Sequence, residues 1–159
     1  VSDGSQDGKC QFQDLGGAIR KIRIDFGIPI EFHGAIQIFP RCDDQAQNDK
    51  GKYCAIGKIR YSCVDKDAPD GTLIYIKPAF YGDEPRDIYE YARSSEEFPH
   101  ETTADQWFSE SQFESYRMLG SHILNEICGE NWIATDLEDF KGKVEEYLAR
   151  QKFLAKGAF

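Results

Sequence analysis

Tyr53-Cys54-Ala55-Ile56-Gly57-Lys58-Ile59-Arg60-Tyr61-Ser62-Cys63 is the stretch that decides the fold class. Tyr53, Ala55, Gly57, Ile59 and Tyr61 fall on one face of an extended chain, and Lys58 and Arg60 on the other. That alternation predicts a β-strand. Ile56 interrupts it, which suits a strand covered on both sides for part of its length. Val64 to Gly71 then holds Pro69 and the turn pair Asp70-Gly71. Thr72 to Lys77 (TLIYIK) reads as the returning strand, and Pro78 ends it. Together they predict a hairpin with a long loop.

Upstream, Ile28–Phe32 and Ala35–Phe39 read as two short strands around His33-Gly34, with His33 a turn residue. Before them, Phe12, Leu15, Ile19, Ile22 and Phe26 recur at helical spacing, with Ala18 on the same face. Gly27 supplies the stop and Pro29 follows it. Gly16-Gly17 inside the first turn costs roughly 1 kcal/mol per glycine against alanine. The expectation is that close packing on a neighbouring element requires them. Asp43 to Lys52 is polar and predicts a surface loop.

Downstream, Gly82-Asp83-Glu84-Pro85 predicts a helix start, with Ile88, Tyr91 and Ala92 as the inner face. Thr103 with Gln106, and Ser109 with Gln112, both fit capping-box spacing. The chain should start a short helix, stop, and start a long one. The long helix carries Phe113, Tyr116, Leu119, Gly120, Ile123, Leu124 and Ile127, and Gly129 closes it. Asp136 with Asp139 starts a last helix striped by Leu137, Phe140, Val144 and Leu148, with Gln151 at its margin. The expected fold is mixed α/β: a small mixed or antiparallel sheet, a packing helix and a C-terminal helical cluster. Residues 1–159 form a single domain or fragment, with a strand-rich part at 1–78 and a helical part at 79–159.

The 159 residues suit one domain with a real core. A net charge of −9 argues against nucleic acid as a partner, because phosphate binding needs a basic patch. It also disfavours electrostatic docking on anionic lipid. No apolar run approaches the ~20 residues needed to span a bilayer. Cys10, Cys42, Cys54, Cys63 and Cys128 are odd in number and lack CxxC spacing. Buried free thiols are expected rather than zinc. The chain begins at Val1, and Val1-Ser2-Asp3-Gly4 reads like a strand end running into a turn. A fragment of a larger protein is the expectation.

Two constellations carry possible chemistry. Asp3, Ser5, Asp7, Gly8 and Asp14 fall on positions 1, 3, 5, 6 and 12 of a calcium-loop pattern. Against calcium, Asp14 is short for the usual bidentate Glu, and Cys10 replaces a branched aliphatic. A Gly/Asp-rich loop leading into a helix explains the same residues. The second constellation is His100, Glu101, Asp105 and Glu110. His100 could act as a base with Asp105 as its orienting acid. An ordinary helix-entry loop is the preferred explanation, since an acid in a first helical turn is favoured by the dipole. There is no G-x-S-x-G and no glycine-rich phosphate loop. The residues alone assemble no complete catalytic set.

Asp14-Leu15-Gly16 with Ala18–Gly27, Ala55–Tyr61, Gly71–Pro78, Gly82–Pro85, Phe98-Pro99-His100, Thr103–Gln106, Phe113–Arg117 and Leu119-Gly120 come in an order that resembles the C-terminal part of large bacterial patatin-like phospholipase proteins. The resemblance runs to about Ile127. It implies a Ser/Asp dyad lipid acyl hydrolase with an α/β core, whose G-x-S-x-G nucleophile and glycine-rich oxyanion turn are not in this chain. Ser2-Asp3-Gly4-Ser5 resembles the family's catalytic Asp-Gly turn but departs from it at the third position. Asp3 matches better a second, non-catalytic Val-Ser-Asp strand end. The resemblance implies a structural or substrate-shaping segment, inactive alone. Its expected partners are the remainder of the parent hydrolase and, through it, a lipid or ester substrate. A cytoplasmic setting is implied, with membrane association arising through the parent. No cofactor is expected, calcium at Asp3, Ser5, Asp7 and Asp14 being the alternative. An independent acidic binding domain is the rival function.

Overall fold

Strand β2 (Cys54–Ile59) is the middle of a three-stranded antiparallel sheet, flanked by β1 (Ile30–Phe32) and β3 (Gly71–Ile76). The computed structural model describes residues 1–7, 9–39, 41, 51–102, 104 and 106–150. The expected hairpin is present, with Cys54 opposite Ile76 and Ile59 opposite Gly71. Its first strand is shorter than the alternation predicts. Tyr61–Cys63 coils instead into a 3₁₀ turn, held where Asp70 accepts hydrogen bonds from the Ser62 amide and hydroxyl.

Of the two short strands expected around His33-Gly34, only the first forms. Residues 35–39 have no strand pairing, and β1 pairs with β2 rather than with them. Gly57 stands opposite Phe32 and accommodates the β1 pairing. A Cβ there would stand 3.2 Å from the Phe32 ring, so glycine lets that ring lie against β2. Ile38 still buries itself, and the Gln37 carbonyl accepts the Lys52 amide at 2.6 Å. Residues 43–50 of the expected surface loop lie outside the described residues. Its end is not surface at all, since Gly51 and Lys52 are buried. Lys52 Nζ donates to the carbonyls of Tyr147 and Arg150 at 2.9 and 3.1 Å. A cation thus meets the last carbonyls of a helix, where the helix dipole favours it.

Helix α1 (Gln13–Phe26) ends at Gly27 in a left-handed conformation, as its sequence predicts. It has no fully buried residue, and Ile24 and Phe26 are exposed. Close packing does not explain Gly16-Gly17, because a Cβ at either position would meet nothing within 4 Å. Helix α2 (Arg86–Ser94) follows Pro85 and buries Ile88 and Ala92. The short helix expected from Thr103 and Gln106 is not seen where the chain is described. Residues 106–109 are irregular, and Thr103 lies outside the described residues. Helix α3 (Glu110–Cys128) is capped by Ser109, whose side chain accepts the Gln112 amide. It buries Leu119, Ile123 and Ile127 but leaves Phe113 and Leu124 exposed. Helix α4 (Leu137–Ala149) is capped by Asp136 through the Asp139 amide. Leu137 departs from its expected inner stripe and stands exposed, while Val144 is buried. Gln151 lies outside the described residues.

Helix α3 packs on α2 and α4, and α4 reaches β2. Tyr53, Tyr75, Ile88, Phe98, Leu119, Ile127 and Val144 fill the core between helices and sheet. Cys54 and Cys128 are buried free thiols, Cys10 is buried and Cys63 is exposed. Cys42 lies outside the described residues. Among the described residues, no helix is long and apolar enough to cross a membrane.

Candidate functional site

Val1–Asp3 runs parallel beside β3. Ser2 bridges Ile76, and three backbone bonds form: Val1 N to the Ile74 carbonyl, Ile76 N to the Val1 carbonyl, and Asp3 N to the Ile76 carbonyl. This pairing carries Asp3 to the end of β3, beside Tyr75 and Lys77. Those two are spaced two apart and project from one face. Tyr75 donates its hydroxyl to Asp3 Oδ2 at 2.5 Å, and Lys77 Nζ stands 3.3 Å from the same oxygen. The Ser5 amide donates to Asp3 Oδ1 at 2.9 Å. Burial pushes the Asp3 carboxyl up. The hydrogen bonds from Ser5 and Tyr75 and the Lys77 charge outweigh it and hold the pKa down at about 2. Burial and the hydrogen bond to Asp3 push Tyr75 up. Lys77 is wholly enclosed and also donates to the Ser5 carbonyl at 3.3 Å.

His100 meets this cluster from the other side of the chain. It follows a cis Phe98–Pro99 bond, and its amide donates to the Glu97 carbonyl at 2.6 Å. The side chain is buried, with Lys77, Asp7 and Asp3 near the ring and the Ser5 carbonyl facing it outside hydrogen-bond geometry. Burial first, then the Lys77 ammonium, lowers its pKa, so the imidazole is held neutral. Of the sequence candidates, Asp3, Ser5 and His100 therefore come together, with Lys77 in their midst. Asp105, the proposed orienting acid of His100, lies outside the described residues. The Ser5 hydroxyl makes no hydrogen bond to His100, so Ser5 is not an activated nucleophile. Asp3 is committed to Lys77 and Tyr75.

Among the described residues, the carboxylates of Asp3, Asp7 and Asp14 do not gather as one ligand group. Asp7 accepts the amides of Gln11 and Phe12 at 2.9 and 2.8 Å and so caps the approach to α1. Phe12 itself sits in the left-handed region, at φ 55°, and cannot cap. Asp14 lies in the first turn of α1, where the helix dipole favours an acid. Asp3 faces β3, and Gly8 lies outside the described residues. Each carboxylate that the motif assigns to calcium has an ordinary structural occupation.

The one group of possible metal ligands that gathers among the described residues is Asp83, Glu84 and His122, with ligand atoms within 4.8 Å of one another. The donor set would suit a divalent transition metal. Its buried member is already engaged. Glu84 Oε1 accepts the Tyr53 hydroxyl at 3.1 Å and the Tyr81 amide at 2.8 Å, and Oε2 accepts the Gly82 amide at 2.8 Å. Glu84 therefore braces the turn that leads into α2.

The corner at 95–116 is organised by Glu101. Its carboxylate receives Ser95 Oγ, Tyr91 Oη at 3.0 Å and Gln112 Nε2 at 2.9 Å. The Tyr116 hydroxyl accepts its amide at 3.3 Å. Burial raises the Glu101 pKa, but these hydrogen bonds outweigh it and lower it on balance. Beside this corner, Gly4, Pro78, Glu101, Thr102, Phe108, Phe113 and Tyr116 line an apolar pocket of about 260 Å³. Sequence reasoning missed Tyr75, Lys77 and Glu84. The available signal was a lysine at the end of an apolar strand, two residues after a tyrosine. No protein-family model, no curated protein and no solved structure matches this chain.

Proposed function

We propose that this chain is the C-terminal segment of a patatin-like lipid acyl hydrolase, one that shapes the enzyme and does not perform its chemistry. The ordered run of motifs from Asp14 to Gly120 is the ground for the family. The observation that carries the non-catalytic role is the state of the polar cluster. Asp3 is consumed by Lys77 and Tyr75, and Ser5 and His100 are not hydrogen-bonded to one another. A hydrolase needs a nucleophile in contact with its base. The apolar pocket between Phe108, Phe113 and Pro78 gives such a segment a surface that could contribute to substrate shape.

Two measurements test this reading. The purified chain should not turn over a chromogenic short-chain ester and should not react with a fluorophosphonate probe. Turnover abolished by Ser5→Ala would overturn the non-catalytic role. The gene upstream of Val1 should encode an Asp-Gly-Gly turn some tens of residues back, with G-x-S-x-G further up. A coding sequence lacking both would overturn the family assignment.

A further inference from the structure

Asp83, Glu84 and His122 bring their ligand atoms together from two elements. Asp83 and Glu84 lie in the turn before α2, and His122 lies on α3, which packs against α2. Glu84 is buried, His122 half-buried and Asp83 exposed. The group therefore runs from the core to the surface, unlike a patch of solvated acids.

Glu84 supplies a second observation. It is 7% exposed, and its three partners are all neutral: the Tyr53 hydroxyl and the amides of Tyr81 and Gly82. Among the described residues, no lysine or arginine forms an ion pair with it. Buried charges are ordinarily paired or bound to a metal ion.

The three donors orient Glu84 without exhausting it. Oε1 receives two hydrogen bonds and Oε2 one, whereas each carboxylate oxygen offers two lone pairs. Gly82, at φ 92°, holds the turn in a shape that aims its amide at Oε2. The Tyr53 hydroxyl joins the two elements, standing 3.1 Å from Glu84 Oε1 and 3.5 Å from His122 Nε2. Burial first, then the negative charges of Glu84 and Asp83, raise the pKa of that hydroxyl, so both carboxylates act at one point. Metal ligands are commonly fixed by an outer layer of hydrogen bonds of this kind. Ligands of one zinc ion, each about 2.0–2.1 Å from it, stand roughly 3.3 Å apart in a tetrahedron. Rotation of the exposed Asp83 side chain closes the observed 4.8 Å spread towards that spacing.

We propose that Asp83, Glu84 and His122 bind one divalent transition-metal ion, for which zinc is the probe. Two carboxylate oxygens and one imidazole nitrogen are donors that such ions accept, and three protein ligands leave a position for water. The ion offsets the charge of the buried Glu84 and clips α3 to the turn before α2. This site does not depend on the lipid-hydrolase reading.

Isothermal titration calorimetry of the EDTA-treated chain with zinc chloride tests the proposal. The expected result is saturable binding of one ion, weakened at least about tenfold in His122→Ala and in Asp83→Asn. Glu84 is left intact because it braces the turn. No saturable binding at millimolar zinc overturns the site. Unchanged affinity in either variant also overturns it, since the ion then sits on other groups. If a variant does not fold, manganese titration of the ¹⁵N-labelled parent decides. Paramagnetic broadening should centre on the amides of Gly82, Asp83, Glu84 and His122, and broadening centred elsewhere overturns the proposal.

Discussion

Lys77 Nζ lies 3.3 Å from Asp3 Oδ2, and Lys77 is completely buried while Asp3 is the carboxylate that neutralises it. A lone parallel bridge places the two together, because Ser2 pairs with Ile76. The N-terminal segment thus carries the counter-charge that lets β3 end inside the protein.

Removing that counter-charge should be costly. Asp3→Asn leaves the Lys77 ammonium enclosed without its partner, and breaking such a pair typically costs about 3–5 kcal/mol. Adding Lys77→Met to Asp3→Asn should recover much of the loss, since an apolar side chain of similar length needs no partner. Urea denaturation of the three proteins checks this. Equal stability of Asp3→Asn and the parent would remove the pair from the account of the fold.

The same pair has a pH signature. The Asp3 pKa falls from its ordinary 3.8 to about 2 in the folded chain. The unfolded chain therefore takes up the proton first as pH drops. Asp3's contribution is complete above pH 3.8 and disappears as pH falls from there towards 2. Acid denaturation of the Asp3→Asn variant should lack this step when compared with the parent.

His100 titrates in a different window. Its folded pKa is lowered from the ordinary 6.5, first by burial and then by Lys77. The negative charges of Asp7 and Asp3 act in the opposite direction without reversing the shift. The unfolded state binds a proton that the folded state refuses, so stability is full above pH 6.5 and declines as pH falls below it. The denaturation midpoint of the parent should decrease between pH 7.5 and pH 5.5. His100→Gln removes the titrating group and should flatten that dependence, even if it lowers stability at all pH values. An unchanged slope in the variant would mean that other groups set it.

The hairpin from Cys54 to Ile76 was legible in the sequence because period-two alternation and a turn pair agree there. The Ser109 and Asp136 caps were legible because an oxygen three residues before a free amide is a local arrangement. The pairing of β1 was not legible, since Ala35–Phe39 alternates as well as Ile28–Phe32. The Phe32 ring lying against Gly57 is a contact between distant residues that no local pattern shows. Asp3 was visible as a candidate, but its partners lie more than 70 positions away. No local pattern links an acid at residue 3 with a tyrosine at 75 and a lysine at 77. Phe113, Leu124 and Leu137 continue apolar stripes yet remain exposed, because periodicity gives a face without saying whether anything covers it.

Glycines give the sharpest contrast between what a sequence suggests and what space allows. Gly51 and the pair Gly16-Gly17 look equally exceptional as letters. At Gly51 a Cβ would stand 2.8 Å from the Gln37 carbonyl oxygen and would also press on the Tyr81 hydroxyl. That hydroxyl cannot withdraw without losing its 2.9 Å bond to the Lys52 carbonyl. Gly51→Ala should therefore destabilise by about 1–3 kcal/mol, the usual cost of overpacking. At Gly16 and Gly17 nothing lies within 4 Å, and both are interior to α1. Gly16→Ala and Gly17→Ala should each stabilise by up to about 1 kcal/mol, because alanine loses less backbone freedom on entering a helix. Thermal melts of the three single variants check both signs at once. A Gly16→Ala or Gly17→Ala protein less stable than the parent would mean that another chain or molecule lies against that face of α1 in solution. A stable Gly51→Ala protein would mean that the Tyr81 hydroxyl is not fixed where the Lys52 carbonyl holds it.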